Sequence, residues 1–235
     1  YGDEAHLFKA KSLTSIMDKC VNTPYRIGTT GTLDGTKTHK LVLEGVFGKV
    51  KKVTTTKQLI DDNTIADLKI HGLILDYTDE EKKLVSKMSY QEEIDWLVQH
   101  PKRNTVLKNL CITQKGNTLV LFQFVEKHGQ VLYDIINSKV GDTREVFFVH
   151  GGTDTETREE IRAITEKQND AIIVASYGTF STGINIRNLH NIVFASPSKS
   201  RIRNLQSIGR GLRKGDNKQQ CNLFDVGDDL QWKSK

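Results

Sequence analysis

The sequence predicts an α/β protein built on a parallel sheet. Short apolar runs recur through the C-terminal half, at 118–124, 145–149, 171–175, 191–195 and 221–224. Each has strand length and is nearly continuous rather than alternating, as expected of strands covered on both faces. The segments between them are long enough for helices, and strands that alternate with helices form parallel sheets.

The elements follow in order. A helix is expected after His6, a strand at 25–30, and extended segments at 41–47 and 68–76. That is too little for a complete α/β domain and reads as the C-terminal part of one. Residues 78–114 read as helical, with Pro101 opening a second helix after a first that ends near His100. Proline suits a first helical position, where its missing N–H has no intrahelical partner to lose. This helical stretch is the expected connector. A helix at 125–138 follows the run at 118–124. A charged helix at 154–168 follows the next run, with Asp154 or Thr155 as its N-cap. A further helix spans about 200–212, ahead of the last run. In open parallel sheets ligands bind at the carboxyl ends of strands, so chemistry is expected in the segments that follow them.

The chain has 235 residues, 37% hydrophobic and 27% charged, enough apolar mass for one large or two small cores. Its net charge of +5 and pI of about 9.0 admit a nucleic-acid partner without requiring one. The charge is uneven. Lys199, Arg201, Arg203, Arg210, Arg213, Lys214 and Lys218 stand against the single acid Asp216, and Lys49, Lys51, Lys52 and Lys57 form a second group that reads equally well as a solvated face. Cys20, Cys111 and Cys221 lie far apart, with neither metal-ligand spacing nor a disulfide framework. Together with the lack of any apolar run near 18 residues or a signal-peptide pattern, this predicts a soluble cytoplasmic protein with no membrane partner. The sequence opens without Met and inside a motif, as a piece of a longer protein would.

Four segments carry candidate chemistry. Gln206 to Arg213 reads as Gln-x-x-Gly-Arg-x-x-Arg and places Arg210 and Arg213 three apart on one helix face. Two fixed guanidiniums suit a polyphosphate, although a basic surface helix has the same pattern. Asp3-Glu4-Ala5-His6 can hold Mg²⁺ through water with one acid and orient a water with the next. Four such residues also occur by chance. At 26–35 an expected strand runs into small hydroxyl residues, placing Thr30 and Thr32 at its end; a glycine-rich turn is the plain alternative. At 175–185 a buried strand opens into a loop of hydroxyls and glycines, where Thr179 can donate to a phosphate and Gly183 and Asn185 can face a nucleotide. Here the plain alternative is a strand-to-helix turn. The segment 31–38 falls one residue short of a P-loop. Thr36 stands where the second glycine belongs, and residues 39–45 read as strand or turn rather than the helix a P-loop requires, so a P-loop is rejected.

Five segments then occur in a telling order: Asp-Glu-Ala-His at 3–6, Gly-Thr-Thr-Gly-Thr-Leu at 28–33, Leu-Val-Leu-Phe-Gln-Phe at 119–124, Ser-Tyr-Gly-Thr-Phe-Ser-Thr-Gly-Ile-Asn at 176–185, and Gln-Ser-Ile-Gly-Arg-Gly-Leu-Arg at 206–213. They resemble motifs II to VI of a superfamily 2 DNA helicase. The segments at 47–62 and 68–70 resemble the crossing between its two motor domains. Residues 154–158 and 175–190 resemble bacteriophage members of that family, and the likeness spans nearly the whole chain.

The resemblance implies RecA-like domains with ATP and Mg²⁺ in the cleft between them and DNA across both. Residues 1–76 would be the C-terminal part of the first domain, 77–104 a helical connector and 105–235 the second domain. Asp3 and Glu4 would manage Mg²⁺ and the attacking water beside His6, and Thr30, Gly31 and Thr32 would couple hydrolysis to movement. Gln206, Arg210 and Arg213 would meet the γ-phosphate, with Gly183 and Asn185 also at the nucleotide. Gln123, Ser176, Thr179, Lys199, Arg201 and Arg203 would touch the DNA backbone. Members of this kind remodel branched or forked DNA in recombination and repair, by moving junctions, regressing forks and unwinding RNA–DNA hybrids; a phage-encoded one acts in the host cytoplasm. The sequence departs from the family pattern in lacking motif I, so these residues alone are expected to hydrolyse ATP poorly. It also carries Asn185 where many relatives have Asp. Two rival readings are a catalytically silent nucleic-acid-binding module and the translocase part of a type I restriction enzyme.

Overall fold

A computed structural model describes residues 1–8, 11–31, 33, 37–183, 186–198, 201–215 and 218–230. Within these, the side chains of residues 7, 12–13, 37–39, 181–183 and 201–203 are not described. Six parallel strands form one sheet: β1 (Asp67–Asp76), β2 (Thr118–Phe122), β3 (Val146–Val149), β4 (Ile172–Ser176), β5 (Asn191–Phe194) and β6 (Gln220–Asp229), in the order β1-β6-β5-β2-β4-β3. Every residue of β2 and β5 is buried, as the near-continuous apolar runs require.

Two strands differ from expectation. Strand β6 extends past the apolar run at 221–224 to Asp229, through Asp225, Gly227 and Asp228, which break the hydrophobic pattern. Strand β1 was expected in the N-terminal domain, within residues 1–76. It pairs instead along its whole length with β6, Asp67 opposite Gln220 and Asp76 opposite Asp229. Residues 67–76 thus belong to the same six-stranded sheet as the C-terminal strands. As an edge strand β1 alternates in exposure, which reveals a half-buried strand but not which sheet receives it.

The described residues form ten α-helices. They are α1 (Lys11–Lys19), α2 (Lys37–Phe47), α3 (Thr56–Asp61), α4 (Asp79–Val85), α5 (Tyr90–Gln99), α6 (Pro101–Thr113), α7 (Val131–Val140), α8 (Thr155–Lys167), α9 (Tyr177–Gly183) and α10 (Arg201–Gly211). Local signals start several of them. Capping boxes pair Thr55 with Gln58, Thr78 with Glu81 and Ser89 with Glu92, and Asp154 caps α8. The His100 side chain accepts from the Arg103 backbone N–H, with Pro101 at the first position of α6. One face packs Leu119, Leu121, Ile173 and Ile192 under Phe180 and Ile161; the other packs Val120, Phe122, Val174 and Val193 under Leu107, Leu132 and Ile136.

The N-terminal part departs further from the sequence reading. Residues 41–47 are the end of helix α2, not an extended segment. The expected strand at 25–30 makes only one parallel bridge, Gly2 with Gly28, through Gly2 N–H to Ile27 O at 2.7 Å and Thr29 N–H to Gly2 O at 2.9 Å. Because α2 follows residues 31–38, one ground for rejecting a P-loop there falls. The other ground, Thr36 in place of the second glycine, stands in the sequence, and residues 32 and 34–36 lie outside the described ones.

An ionic cluster pins the connector to the sheet. Arg103, 1% exposed, donates from Nε and Nη2 to Asp228 at 2.9 and 3.2 Å and from Nη1 to Ala195 O at 2.7 Å. The Tyr77 hydroxyl donates to the same carboxylate at 2.6 Å. Burial, and then this bond to Asp228, raise the Tyr77 phenol well above its ordinary value. Lys82 joins Asp76 and Asp229 at the ends of β1 and β6, at 2.7 and 3.2 Å.

His128 lies fully buried in a single π-helical turn at Val125–Gln130. Burial, and then the charge of Arg103, push it down to about 3 from an ordinary 6.5. The unfolded chain therefore binds a proton between about pH 6.5 and pH 3 that the folded protein refuses. Stability contributed above pH 6.5 is lost as pH falls through that window, by up to about 1.4 kcal/mol per pH unit. Thermal melts of the parent and of His128→Gln between pH 7 and pH 4.5 check this. The parent should fall more steeply; parallel curves would show that His128 does not set the acid limb.

Candidate functional site

The Asp-Glu-Ala-His segment turns sharply. Glu4 adopts φ +47°, and Ala5–Leu7 form a short 3-10 turn. Asp3 Oδ1 accepts from the Glu4 backbone N–H at 2.9 Å and from the Thr29 hydroxyl at 3.2 Å. Thr29 also meets the Tyr1 hydroxyl at 2.8 Å. Asp3 and Glu4 are both exposed, so their remaining carboxylate oxygens face solvent. Among the described residues no cluster of three or more His, Cys, Asp or Glu surrounds a cation position. Two open carboxylates beside a hydroxyl suit a hard cation that keeps most of its water, which is how Mg²⁺ is commonly held.

His6 joins the two ends of the chain. It is 5% exposed. Its Nδ1 lies 2.9 Å from Thr30 Oγ1 and 3.2 Å from Glu4 Oε2, and its Nε2 lies 3.4 Å from Gln206 Nε2. These partners fit one tautomer: Nδ1–H donates toward Thr30 and Glu4, while Nε2 accepts from the Gln206 amide. The structure thereby brings Glu4, His6, Thr30 and Gln206 together from three separated motifs.

Arg210 occupies the last turn of α10, half-buried, with its guanidinium carbon 5.6 Å from the Phe180 ring centroid. Burial lowers its pKa, neighbouring Arg213 adds to that, and Glu4 opposes both. A guanidinium titrates so high that it stays charged through such shifts. Arg210 therefore lies within electrostatic reach of the acid of the first motif and of the second arginine. The helix ends at Gly211, however, so Arg213 lies beyond it and is exposed; the two arginines do not share a helix face as the spacing predicts. Gly209 and Gly211 lie in the last turn, and a Cβ on Gly211 would press on the side chains of Ile192 and Cys221, so this glycine eases the close packing of α10 on the sheet.

The expected DNA-facing residues divide. Gln123 follows β2 and Ser176 ends β4, and the two strands pair Phe122 with Ser176, so these positions sit together at the carboxyl edge of the sheet. Gln123 is exposed. The segment after Ser176 is helix α9 rather than a loop. Ser176 takes the place of an N-cap: its Oγ accepts from Thr179 N–H at 3.3 Å and donates to Thr179 Oγ1 at 2.8 Å. Thr179 is 6% exposed, so its hydroxyl faces Ser176 rather than solvent. Gly183 closes α9. Thr32, Asn185 and Lys199 lie outside the described residues, as do the side chains of Arg201 and Arg203; Gly31 is exposed beside Thr30.

The basic stretch is less basic at its surface than it reads. Lys218 is 2% exposed and donates to the carbonyls of Gly211, of Arg213 at 3.0 Å and of Arg187 at 3.3 Å, completing the end of α10 as a cation does at a helix C-terminus. Lys214 reaches Asn63, across from α3. These two lysines serve the fold. Sequence reasoning missed Thr29, which was legible only as the neighbour of Thr30, and Phe180 as the platform for Arg210. It also missed His128 and Ser196, which carry no motif signal.

Residues 101–215 match the helicase conserved C-terminal domain family. The chain is 38% identical over 236 residues to the ATP-dependent DNA helicase UvsW of Enterobacteria phage T4, covering 99% of this chain and 46% of that protein. It is 24% identical over 233 residues to IRC3 of Saccharomyces cerevisiae, covering 95% of this chain and 33% of that one. The crystal structure of T4 UvsW superposes with a TM-score of 0.61 at 36% identity, over 99% of this chain and 45% of that one. The chain thus spans less than half the length of these relatives.

Proposed function

We propose, on the premise that this chain belongs to the superfamily 2 helicases through its conserved C-terminal domain, that it forms the distal part of an ATP-dependent motor acting on branched DNA. In this reading residues 1–66 trail the first RecA-like domain, 79–113 connect, and the sheet from β1 to β6 belongs to the second domain. The observation that carries the reading is His6, held between Thr30 and Gln206 and so joining the first and last of the five motifs. Such a bridge lets the first domain's acid and the second domain's arginine report on one another, which a phosphate between them would exploit.

The residues have distinct tasks in this proposal. Asp3 and Glu4 would hold Mg²⁺ through water, and the cation would neutralise phosphate charge. Glu4, open to solvent and tied to His6, orients the attacking water. Arg210, desolvated over Phe180, stabilises charge on the transferring phosphoryl group. Thr30 senses the nucleotide through His6, and Gln123 and Ser176 contact the DNA backbone at the sheet edge. Among the described residues no helix is long and apolar enough to cross a membrane.

Hydrolysis by the whole protein, measured with and without forked DNA, tests this. Forked DNA should stimulate the rate, and more strongly than linear duplex. Glu4→Gln should lower the stimulated rate by on the order of 10²–10⁴-fold, the usual contribution of a positioned acid or base, while ATP binding persists. Hydrolysis indifferent to DNA, or an undiminished Glu4→Gln enzyme, would remove the motor reading. Equal stimulation by linear duplex would leave a DNA motor and remove the preference for branches.

A further inference from the structure

The turn after β5 collects hydrogen bonds from elements spread along the second domain. Arg103 of α6 donates to Ala195 O at 2.7 Å, and the Tyr177 hydroxyl of α9 donates to Ser196 O at 3.0 Å. The Gln123 backbone N–H donates to Ser196 Oγ at 3.0 Å, and His128 Nδ1 lies 2.8 Å from the same oxygen. Ser196 is 1% exposed, whereas Gln123 is exposed.

We infer that Ser196 is a positioning residue for the DNA-contacting segment after β2, acting through the Gln123 backbone and never touching DNA itself. The inference rests on the DNA reading above. Its physical ground is the point at which the sheet stops. The pairing of β2 with β4 ends at Phe122, and that with β5 ends at Leu121. The Gln123 N–H is therefore the first donor of this segment beyond the ladder, and its partner is a side chain from across the turn. That oxygen holds the Gln123 N–H end of this peptide.

The neighbours hold the oxygen in place. Ser196 N–H donates to Leu121 O at 3.3 Å, its carbonyl is held by Tyr177, and the preceding carbonyl is held by Arg103. His128 approaches from the turn that carries Gly129, where a Cβ would meet the Phe122 ring at 2.5 Å, so this turn packs directly on the end of β2. His128 Nε2 is buried without a hydrogen-bond partner, so Ser196 Oγ is the polar contact this ring makes. Arg103 and Tyr177 thereby link the connector and α9, which begins at the sheet edge beside Gln123, to the two peptides that flank the Ser196 Cα.

The test uses the whole protein and three readouts: hydrogen exchange at the Gln123 amide, affinity for a fluorescent forked oligonucleotide, and affinity for a non-hydrolysable ATP analogue. Ser196→Ala should speed Gln123 exchange and weaken DNA binding by roughly tenfold, as expected for one lost hydrogen bond at a buried site. Nucleotide affinity should stay unchanged. Ser196→Thr, which keeps the hydroxyl, should restore both effects. Unchanged Gln123 exchange in the alanine variant would overturn the inference, and so would faster exchange with DNA affinity within twofold of the parent. Parallel loss of DNA and nucleotide affinity without rescue by threonine would reduce Ser196 to a folding role and overturn it as well. A parent protein that does not bind the oligonucleotide would remove the DNA reading on which the inference rests, while Gln123 exchange would still decide whether Ser196 sets that peptide.

Discussion

Arg210→Ala should lower DNA-stimulated ATP hydrolysis by about 10³–10⁵-fold, the range seen when an arginine finger is removed, with DNA affinity changing only a few-fold. The argument comes from placement. Arg210 is half-buried in the last turn of α10, its guanidinium rests over Phe180, and its charge is felt by Glu4 from the first motif. A guanidinium already stripped of much of its water and already oriented loses little on meeting a phosphate, so its interaction with developing charge is undiluted. Arg210→Lys should rescue poorly, because an ammonium cannot reproduce the planar fork. Arg213→Ala should act in the same direction. Arg213 lies exposed past the end of the helix, so a matching loss there would mean that nucleotide binding draws it inward. Steady-state hydrolysis and oligonucleotide binding, measured on the same preparations, decide the matter. An Arg210→Ala protein that hydrolyses ATP at the parental rate would exclude this helix from the chemistry.

Asp228→Ala should destabilise the protein by about 3–5 kcal/mol, the cost of leaving a buried charge without its partner. The Arg103 guanidinium is almost wholly enclosed, and two of its three nitrogens donate to Asp228, whose carboxylate also receives the Tyr77 hydroxyl. Removing the acid strands a cation and a hydroxyl together. Replacing both charges, Arg103→Met with Asp228→Leu, should recover most of the loss, since apolar residues of similar volume often serve a buried site as well as an ion pair. Chemical denaturation of the parent, the single variant and the double variant completes the measurement. A single variant within about 1 kcal/mol of the parent would show that this pair does not hold the connector to the sheet.

Much of the fold was legible in the chain. The strands β2, β4 and β5 are buried on both faces, so their apolar runs are nearly continuous and need no knowledge of their neighbours; β3, at the sheet edge, is only partly buried but keeps the same kind of run. The starts of α6 at Pro101 and of α8 at Asp154 were legible, because such signals reach only three or four residues along the chain, whereas the first helix expected before His100 divides into α4, capped by Thr78, and α5, capped by Ser89. The motif residues were legible as a set because five segments kept one order. Helix α2 was not: its valine and leucines at 41–43 favour strand as readily as helix when seen alone, and only Leu43 of the three is buried.

What the sequence determined by itself, then, is a parallel α/β protein with five segments resembling helicase motifs II to VI in order, because buried strands, helix caps and motif spacing are written in residues close together. Only the tertiary structure decided that β1 pairs with β6, where α10 stops short of Arg213, that Lys218 caps that helix from within, and that Ser196 holds Gln123. It also decided the bridge through His6, whose partners Thr30 and Gln206 lie 24 and 200 residues away. The reason is common to all of these. Each depends on which distant groups compete for one hydrogen bond or one apolar face, and that competition is settled by packing rather than by any local preference of the chain.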